Sequence, residues 1–163
     1  MEEPFFAGMK NRIFQLLARS SPGATTWRVR LHRWRGVHIG EKVWIGYDAI
    51  IETAYPHLVT IRDRATIGAR VLIMAHNREQ QGVVIEEDVT LGPGVIVLPS
   101  VKIGHGAIAT AGSVVTRSVP PKTMVQGNPA RPIATVEIPL SLDVSMKEFT
   151  KGLRPIRQAS ARE

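Results

Sequence analysis

Five histidines, at positions 32, 38, 57, 76 and 105, are the side chains of this 163-residue chain best suited to moving a proton near neutral pH. One stands apart by its neighbours. His76 follows the apolar run Leu72-Ile73-Met74-Ala75 and opens the polar segment His76-Asn77-Arg78-Glu79-Gln80-Gln81-Gly82. An imidazole where a strand runs into a loop can take a proton from a hydroxyl. It can equally be a hydrogen-bonded loop histidine with no chemistry. Loops carried on rigid scaffolds are where binding and catalysis concentrate. The chain has no cysteine. That excludes cysteine nucleophiles, disulfide frameworks, Cys-ligated zinc and iron–sulfur centres.

The elements that position His76 follow from a period of six. Ile39, Ile45 and Ile51 recur at that spacing, as do Ile61, Ile67 and Ile73, and then Ile85, Leu91, Val97, Ile103, Ala109 and Val115. Small or β-branched residues sit four positions after all of these except Ile51 and Ile73, from Val43 and Ala49 to Ser113 and Val119. A helix would fall out of phase within two repeats. Plain alternation would not mark every sixth residue. Six-residue repeats suit a β-solenoid, three repeats to a triangular coil. The aliphatic fills the core and the small residue takes the corner. Residues 37–126 hold five coils' length before insertions are subtracted. The phase breaks twice, between Ile51 and Ile61 and between Ile73 and Ile85. The second break is the loop that His76 opens.

The two ends differ from this middle. The formal charge of +7 is concentrated there: residues 1–40 carry seven Lys/Arg against two acids, and residues 117–163 carry eight against four. Met9, Ile13, Leu16 and Leu17 share one helical face, which predicts a short amphipathic helix over residues 9–19. That helix is expected to cap the domain; the same face also offers a peripheral contact with the inner face of a membrane. Trp27, Val29 and Leu31 alternate with Arg28, Arg30 and His32, which predicts a short strand or extended lead-in. A short helix is expected around residues 143–151, within a tail that covers the open end of the solenoid. No run is apolar and long enough to span a bilayer. The acidic start, Met1-Glu2-Glu3-Pro4, does not read as a signal peptide, so a cytoplasmic location is expected. No nucleic-acid motif is present, and none is expected as a partner.

The repeats, with Ile108-Ala109-Thr110-Ala111-Gly112-Ser113-Val114-Val115-Thr116-Arg117, Val119-Pro120-Pro121 and Gly127-Asn128-Pro129-Ala130-Arg131 behind them, resemble the hexapeptide-repeat acyltransferases. Within that family the chain is similar to the maltose, galactoside and nodulation-factor O-acetyltransferases and to those of polysaccharide gene clusters. The resemblance covers roughly residues 37–133. It implies an all-β fold, a left-handed parallel β-helix, with residues 1–36 as N-terminal helix and lead-in, 37–126 as the acyltransferase domain and 127–163 as a segment and tail near coenzyme A. It further implies a homotrimer with active sites between subunits, acetyl-CoA as cosubstrate, and a sugar or glycan acceptor; the loop after His76 is about ten residues shorter than in the sugar acetyltransferases, which suits a larger acceptor such as a glycan or lipid-linked sugar.

The resemblance also assigns residues. His76 matches the general base. Pro93, Ala111 and Gly112 match the wall along which pantetheine passes. Thr116, Arg117 and Arg131 match the nucleotide end, with Lys122 a weaker phosphate candidate. Asp48, Glu52 and Tyr55 are expected to bind the acceptor. Glu79, Glu86 or a backbone carbonyl would orient His76. The gamma-class carbonic anhydrases share this fold and bind zinc with three histidines, two of them five residues apart. The histidine gaps here are 6, 19, 19 and 29, so no metal is expected. The competing readings are a non-catalytic solenoid scaffold and an acyltransferase acting on serine or a xenobiotic.

Overall fold

The computed structural model describes residues 5–78, 81–140 and 144–156. Two helices open the chain, α1 (Phe5–Ser20) and α2 (Trp27–Trp34). Twelve short strands follow: β1 (His38–Ile39), β2 (Trp44–Ile45), β3 (Ile50–Ile51), β4 (Val59–Ile61), β5 (Thr66–Ile67), β6 (Leu72–Ile73), β7 (Val83–Ile85), β8 (Thr90–Leu91), β9 (Ile96–Val97), β10 (Lys102–Ile103), β11 (Ile108–Ala109) and β12 (Val114–Val115). They stack in three parallel columns, β1-β4-β7-β10, β2-β5-β8-β11 and β3-β6-β9-β12. This is the parallel β-helix expected from the repeats.

The period of six is visible in the packing. Ile45, Ile51, Ile61, Ile67, Ile73, Ile85, Leu91 and Ile103 lie fully inside, and the small residues from Val43 to Val119 are buried with them. Most corners turn through one residue at positive φ, three after the aliphatic, such as Asp48, Arg70, Ser100 and Gly112. Stacked coils leave no room beyond some aliphatics: a Cβ on Gly68 would lie 2.7 Å from the backbone of Leu91 and Gly92.

At the C-terminal end β13 (Thr123–Gly127) continues the second column beside β11. It then turns into the antiparallel β14 (Ala130–Val136), and β15 (Leu153–Pro155) adds to that edge. The expected C-terminal helix is α3 (Met146–Lys151), started by a capping box between Ser145 and Glu148. Its Phe149 packs with Ile108 and Val136.

The N-terminal end departs from expectation. Residues 27–35 are not a strand; α2 spans all but the last of them. Val29 and Leu31 of the apolar alternation are buried, but Trp27 is half-exposed. Buried beside them are the polar residues Arg28, His32 and Arg35. α1 is inverted, with Asn11, Gln15 and Ala18 buried while Met9, Ile13, Leu16 and Leu17 are exposed.

The edge of the first coil explains both departures. Neighbouring coils bond to each other in both directions, as Gly46 N–H does to Ile67 C=O and Arg70 N–H to Tyr47 C=O. The first coil has no predecessor, so its edge must be satisfied by something else. The Gln15 amide donates to Ala49 C=O at 2.9 Å and accepts from Ile51 N–H, standing in for a peptide group. Arg28 donates to Ile45 C=O at 2.7 Å and Arg33 to Ile39 C=O at 3.0 Å. The backbone carbonyls of Ala24 and Arg19 accept from Ile45 and Asp48. The helices must turn their polar faces inward because a strand edge needs donors and acceptors. Among the described residues no helix is long and apolar enough to cross a membrane.

Inside this cap His32 accepts from Arg35 Nε through Nδ1 at 3.2 Å. Burial first, and then the Arg35 charge, pull the His32 pKa down from 6.5 to about 3. The folded protein holds His32 neutral, whereas the unfolded chain takes up a proton below its ordinary value. The stability from this site is complete above that value and is lost as pH falls toward the folded pKa, by at most about 1.4 kcal/mol per pH unit. Urea midpoints measured from neutral to acid pH should fall more steeply for the wild type than for His32→Asn, which keeps an acceptor but does not titrate.

Candidate active site

Both phase breaks fall at the same corner. Ile51 ends β3 and Ile73 ends β6, and these strands are neighbours in the third column. The two irregular segments that follow them therefore stack one above the other. The lower begins Glu52-Thr53-Ala54-Tyr55 and contains a short 3₁₀ turn at Pro56–Leu58. The upper begins Met74-Ala75-His76. Neither Ala54 nor His76 has the positive φ of a regular corner.

Glu52 joins the two segments. Its Oε2 lies 2.8 Å from His76 Nδ1 and accepts from the backbone N–H groups of Ala75 at 2.8 Å and His76 at 3.1 Å. Its Oε1 accepts from Ala54 and Tyr55 N–H at 3.0 and 3.3 Å. Burial acts to raise the Glu52 pKa, but the bonds from Ala75, His76, Tyr55 and Ala54 together hold it below the ordinary carboxylate value. An ionised Glu52 has only acceptors to offer, so His76 Nδ1 must be the donor. That leaves Nε2 as the basic nitrogen, on a ring whose side chain is 48% exposed. The Tyr55 ring lies 5.9 Å from the imidazole, centroid to centroid. Behind Glu52, the buried Arg35 donates to its backbone carbonyl at 2.8 Å.

The remaining residues fall into two other groups. Asp48 and Pro93 share a shallow groove with Tyr47, Ala69, Arg70 and Gly94. Asp48 is ion-paired to Arg19 at 3.1 Å. Gly112 stacks on this groove, its N–H bonded to Pro93 C=O, and Ala111 is exposed beside it. Arg117 and Arg131 line a second cleft with Ser118, Pro120 and Pro132. Thr116 directly precedes that cleft and Lys122 is exposed at a later corner. The groove lies at the corner before the third column, and His76 at the corner after it. Within one chain the column's outer face separates them. The outward residues of that face, Ile50, Leu72, Ile96 and Val114, are all aliphatic and half-exposed.

Reading residues in order does not single out Glu52 as the partner of His76. In a regular repeat the residue after the inward aliphatic points outward. Here the corner bends differently and turns it in. The usable signal is the 22-residue spacing from Ile51 to Ile73, which places one break over the other. Of the other carboxylates considered, Glu86 is held by Lys102 Nζ at 2.7 Å and by His105 N–H, and Glu79 lies outside the described residues. Among the described residues no group of acids and histidines could hold a metal ion.

Residues 82–117 match the family model described as the hexapeptide repeat of succinyl-transferase. A provisionally named acetyltransferase of Bacillus subtilis is 31% identical over 141 residues, covering 82% of this chain and 81% of that protein. A second provisionally named acetyltransferase, from Schizosaccharomyces pombe, is 33% identical over 114 residues, 62% of this chain; the chain spans about half of that relative, 54%. A solved hexapeptide-repeat acetyltransferase of Vibrio cholerae, complexed with acetyl coenzyme A, superposes with a TM-score of 0.64 at 23% identity, over 80% of this chain and 87% of that one. The chain belongs to the hexapeptide-repeat acetyltransferases.

Glu52→Gln should place an amide N–H₂ among groups that are themselves donors. We expect a loss of about 1–3 kcal/mol at neutral pH. Because the folded pKa of Glu52 is depressed, its contribution is present above the unfolded value and lost as pH falls through the folded one. The gap between wild type and Glu52→Gln in chemical denaturation should therefore shrink in acid.

Proposed function

We propose that the protein transfers the acetyl group of acetyl-CoA to a hydroxyl of a sugar, glycan or polysaccharide precursor, with His76 as general base. The observation that carries this reading is the 2.8 Å contact between the buried Glu52 carboxylate and Nδ1 of a half-exposed imidazole. In the proposed reaction Nε2 takes the acceptor's hydroxyl proton as its oxygen bonds to the thioester carbonyl carbon. The tetrahedral intermediate collapses, the C–S bond breaks, and the departing sulfur receives the proton from the imidazolium. Glu52 holds the ring in the required tautomer and offsets the positive charge that forms on it. The acetyl group arrives already activated as a thioester, so bringing the two substrates together suffices without a covalent enzyme intermediate.

The cosubstrate is assigned to the opposite corner. Pantetheine would run past Pro93, Ala111, Gly112 and Thr116, and its phosphates would meet Arg117 and Arg131, whose guanidinium groups suit phosphate geometry. His76 and Pro93 stand on opposite sides of one face in a single chain. Side-by-side packing of three subunits would set the His76 corner of one against the Pro93 corner of the next. The aliphatic outer residues of the third column support that assembly, since burying them is favourable. Asp48 and Tyr55 are then candidates to meet the acceptor. Glu52, spent on His76 and the backbone, fits a positioning role better than the acceptor contact expected for it.

His76→Asn should lower kcat by about 10²–10⁴-fold while leaving coenzyme A binding by calorimetry and the subunit number unchanged. Arg131→Ala should raise KM for acetyl-CoA with little change in kcat. Near-wild-type turnover by His76→Asn would remove the base assignment.

A further inference from the structure

The inverted cap leaves a surface that the transfer reaction does not use. On α1, Phe6, Met9, Ile13, Leu16 and Leu17 form one continuous stripe, 45–77% exposed. On α2, Trp27 and Trp34 lie two turns apart, both about half exposed. They meet edge to face at 6.4 Å, and Trp34 contacts Phe14 of α1 at 5.8 Å, so the two helices share one apolar surface. Cations border it. Lys10 and Arg12 flank the α1 stripe, and Arg30 lies over the Trp27 ring at 5.7 Å. Residues 5–35 carry seven Lys/Arg and no acid.

We propose that this surface docks on an anionic lipid bilayer, with α1 lying flat in the headgroup region. Lipid is favoured over a second copy of the chain on four grounds. The polar face of α1 is bonded to the edge of the first coil through Gln15, so the apolar face points away from the coils along the solenoid axis. Side-by-side subunits would bury the third column instead, and their caps would all face the same way, onto one plane. The mixture of aliphatic stripe, tryptophans and bordering cations suits an interface that is apolar on one side and negatively charged on the other. An acid-free segment would repel a second copy of itself meeting it end to end.

The inference rests on this surface and, for the shared orientation of the caps, on the side-by-side packing proposed above; it does not use the transfer chemistry, so it is tested without acetyl-CoA. The full-length protein is sedimented with vesicles of phosphatidylcholine alone or of equimolar phosphatidylcholine and phosphatidylglycerol, at low and high salt. We expect binding to the anionic vesicles that weakens with salt. In a Trp44→Phe background, brominated lipid should quench Trp27 and Trp34. Leu16→Ser and Leu17→Ser remove only exposed side chains, so the fold should stand, and each should weaken binding about tenfold. Lys10→Gln should weaken it about fivefold, on anionic vesicles only. Failure to bind either vesicle would overturn the proposal, as would binding that ignores both charge and Leu16→Ser. A Leu16→Ser change in subunit number without vesicle binding would assign the stripe to a second copy. Shielding of Trp27 and Trp34 from acrylamide without lipid would assign it to the chain's own termini.

Discussion

The Glu52 carboxylate receives five hydrogen bonds from two segments that the sequence separates by about twenty residues. A buried carboxylate is stable only when its oxygens are satisfied, and here the donors come from both irregular corners at once. The ion therefore fixes the two corners against each other and fixes the ring of His76 above them. An apolar residue in its place would leave four backbone N–H groups without this acceptor. The geometry of the proposed base thus depends on a charge that is itself held by the backbone the solenoid supplies.

A second constraint acts at the other end of the same structure. A β-solenoid ends in an unsatisfied strand edge, and this chain covers its first coil with side-chain amide and guanidinium groups rather than with another strand. Satisfying that edge decides which way the helices face. The hydrophobic stripe is left outside not because burial is weak but because the inner face is needed for hydrogen bonding. The two constraints meet at Arg35, which belongs to the cap and bonds to the carbonyl of Glu52. A transferase whose cap rests on lipid would meet acceptors carried on that same surface.

Much of the fold was legible because each coil repeats the last. One inward aliphatic and one small corner residue in every six residues leave little freedom, and the breaks at 51–61 and 73–85 mark where the wall opens. His76 was legible from its place at the second break. Glu52 was not, because the periodic rule puts the residue after Ile51 on the outside, and only the bent corner reverses it. α2 was not, because the alternation of Trp27, Val29 and Leu31 with Arg28, Arg30 and His32 reads as period two, whereas the segment is a helix that buries Val29 and Leu31 and leaves Trp27 half-exposed. Against a strand edge the interior also takes polar side chains, and Arg28, His32 and Arg35 are buried with them.

The tautomer of His76 bears most directly on the proposed chemistry. Long-range proton–nitrogen correlation spectra of the ¹⁵N-labelled protein, with His76 assigned by difference from His76→Asn, report which ring nitrogen carries the proton in the neutral form. A protonated Nδ1 with a bare Nε2, giving way to a mixture of tautomers in Glu52→Gln, is the predicted result. A proton on Nε2 in the wild-type protein would leave the exposed nitrogen unable to accept one, and would contradict the role assigned to the pair.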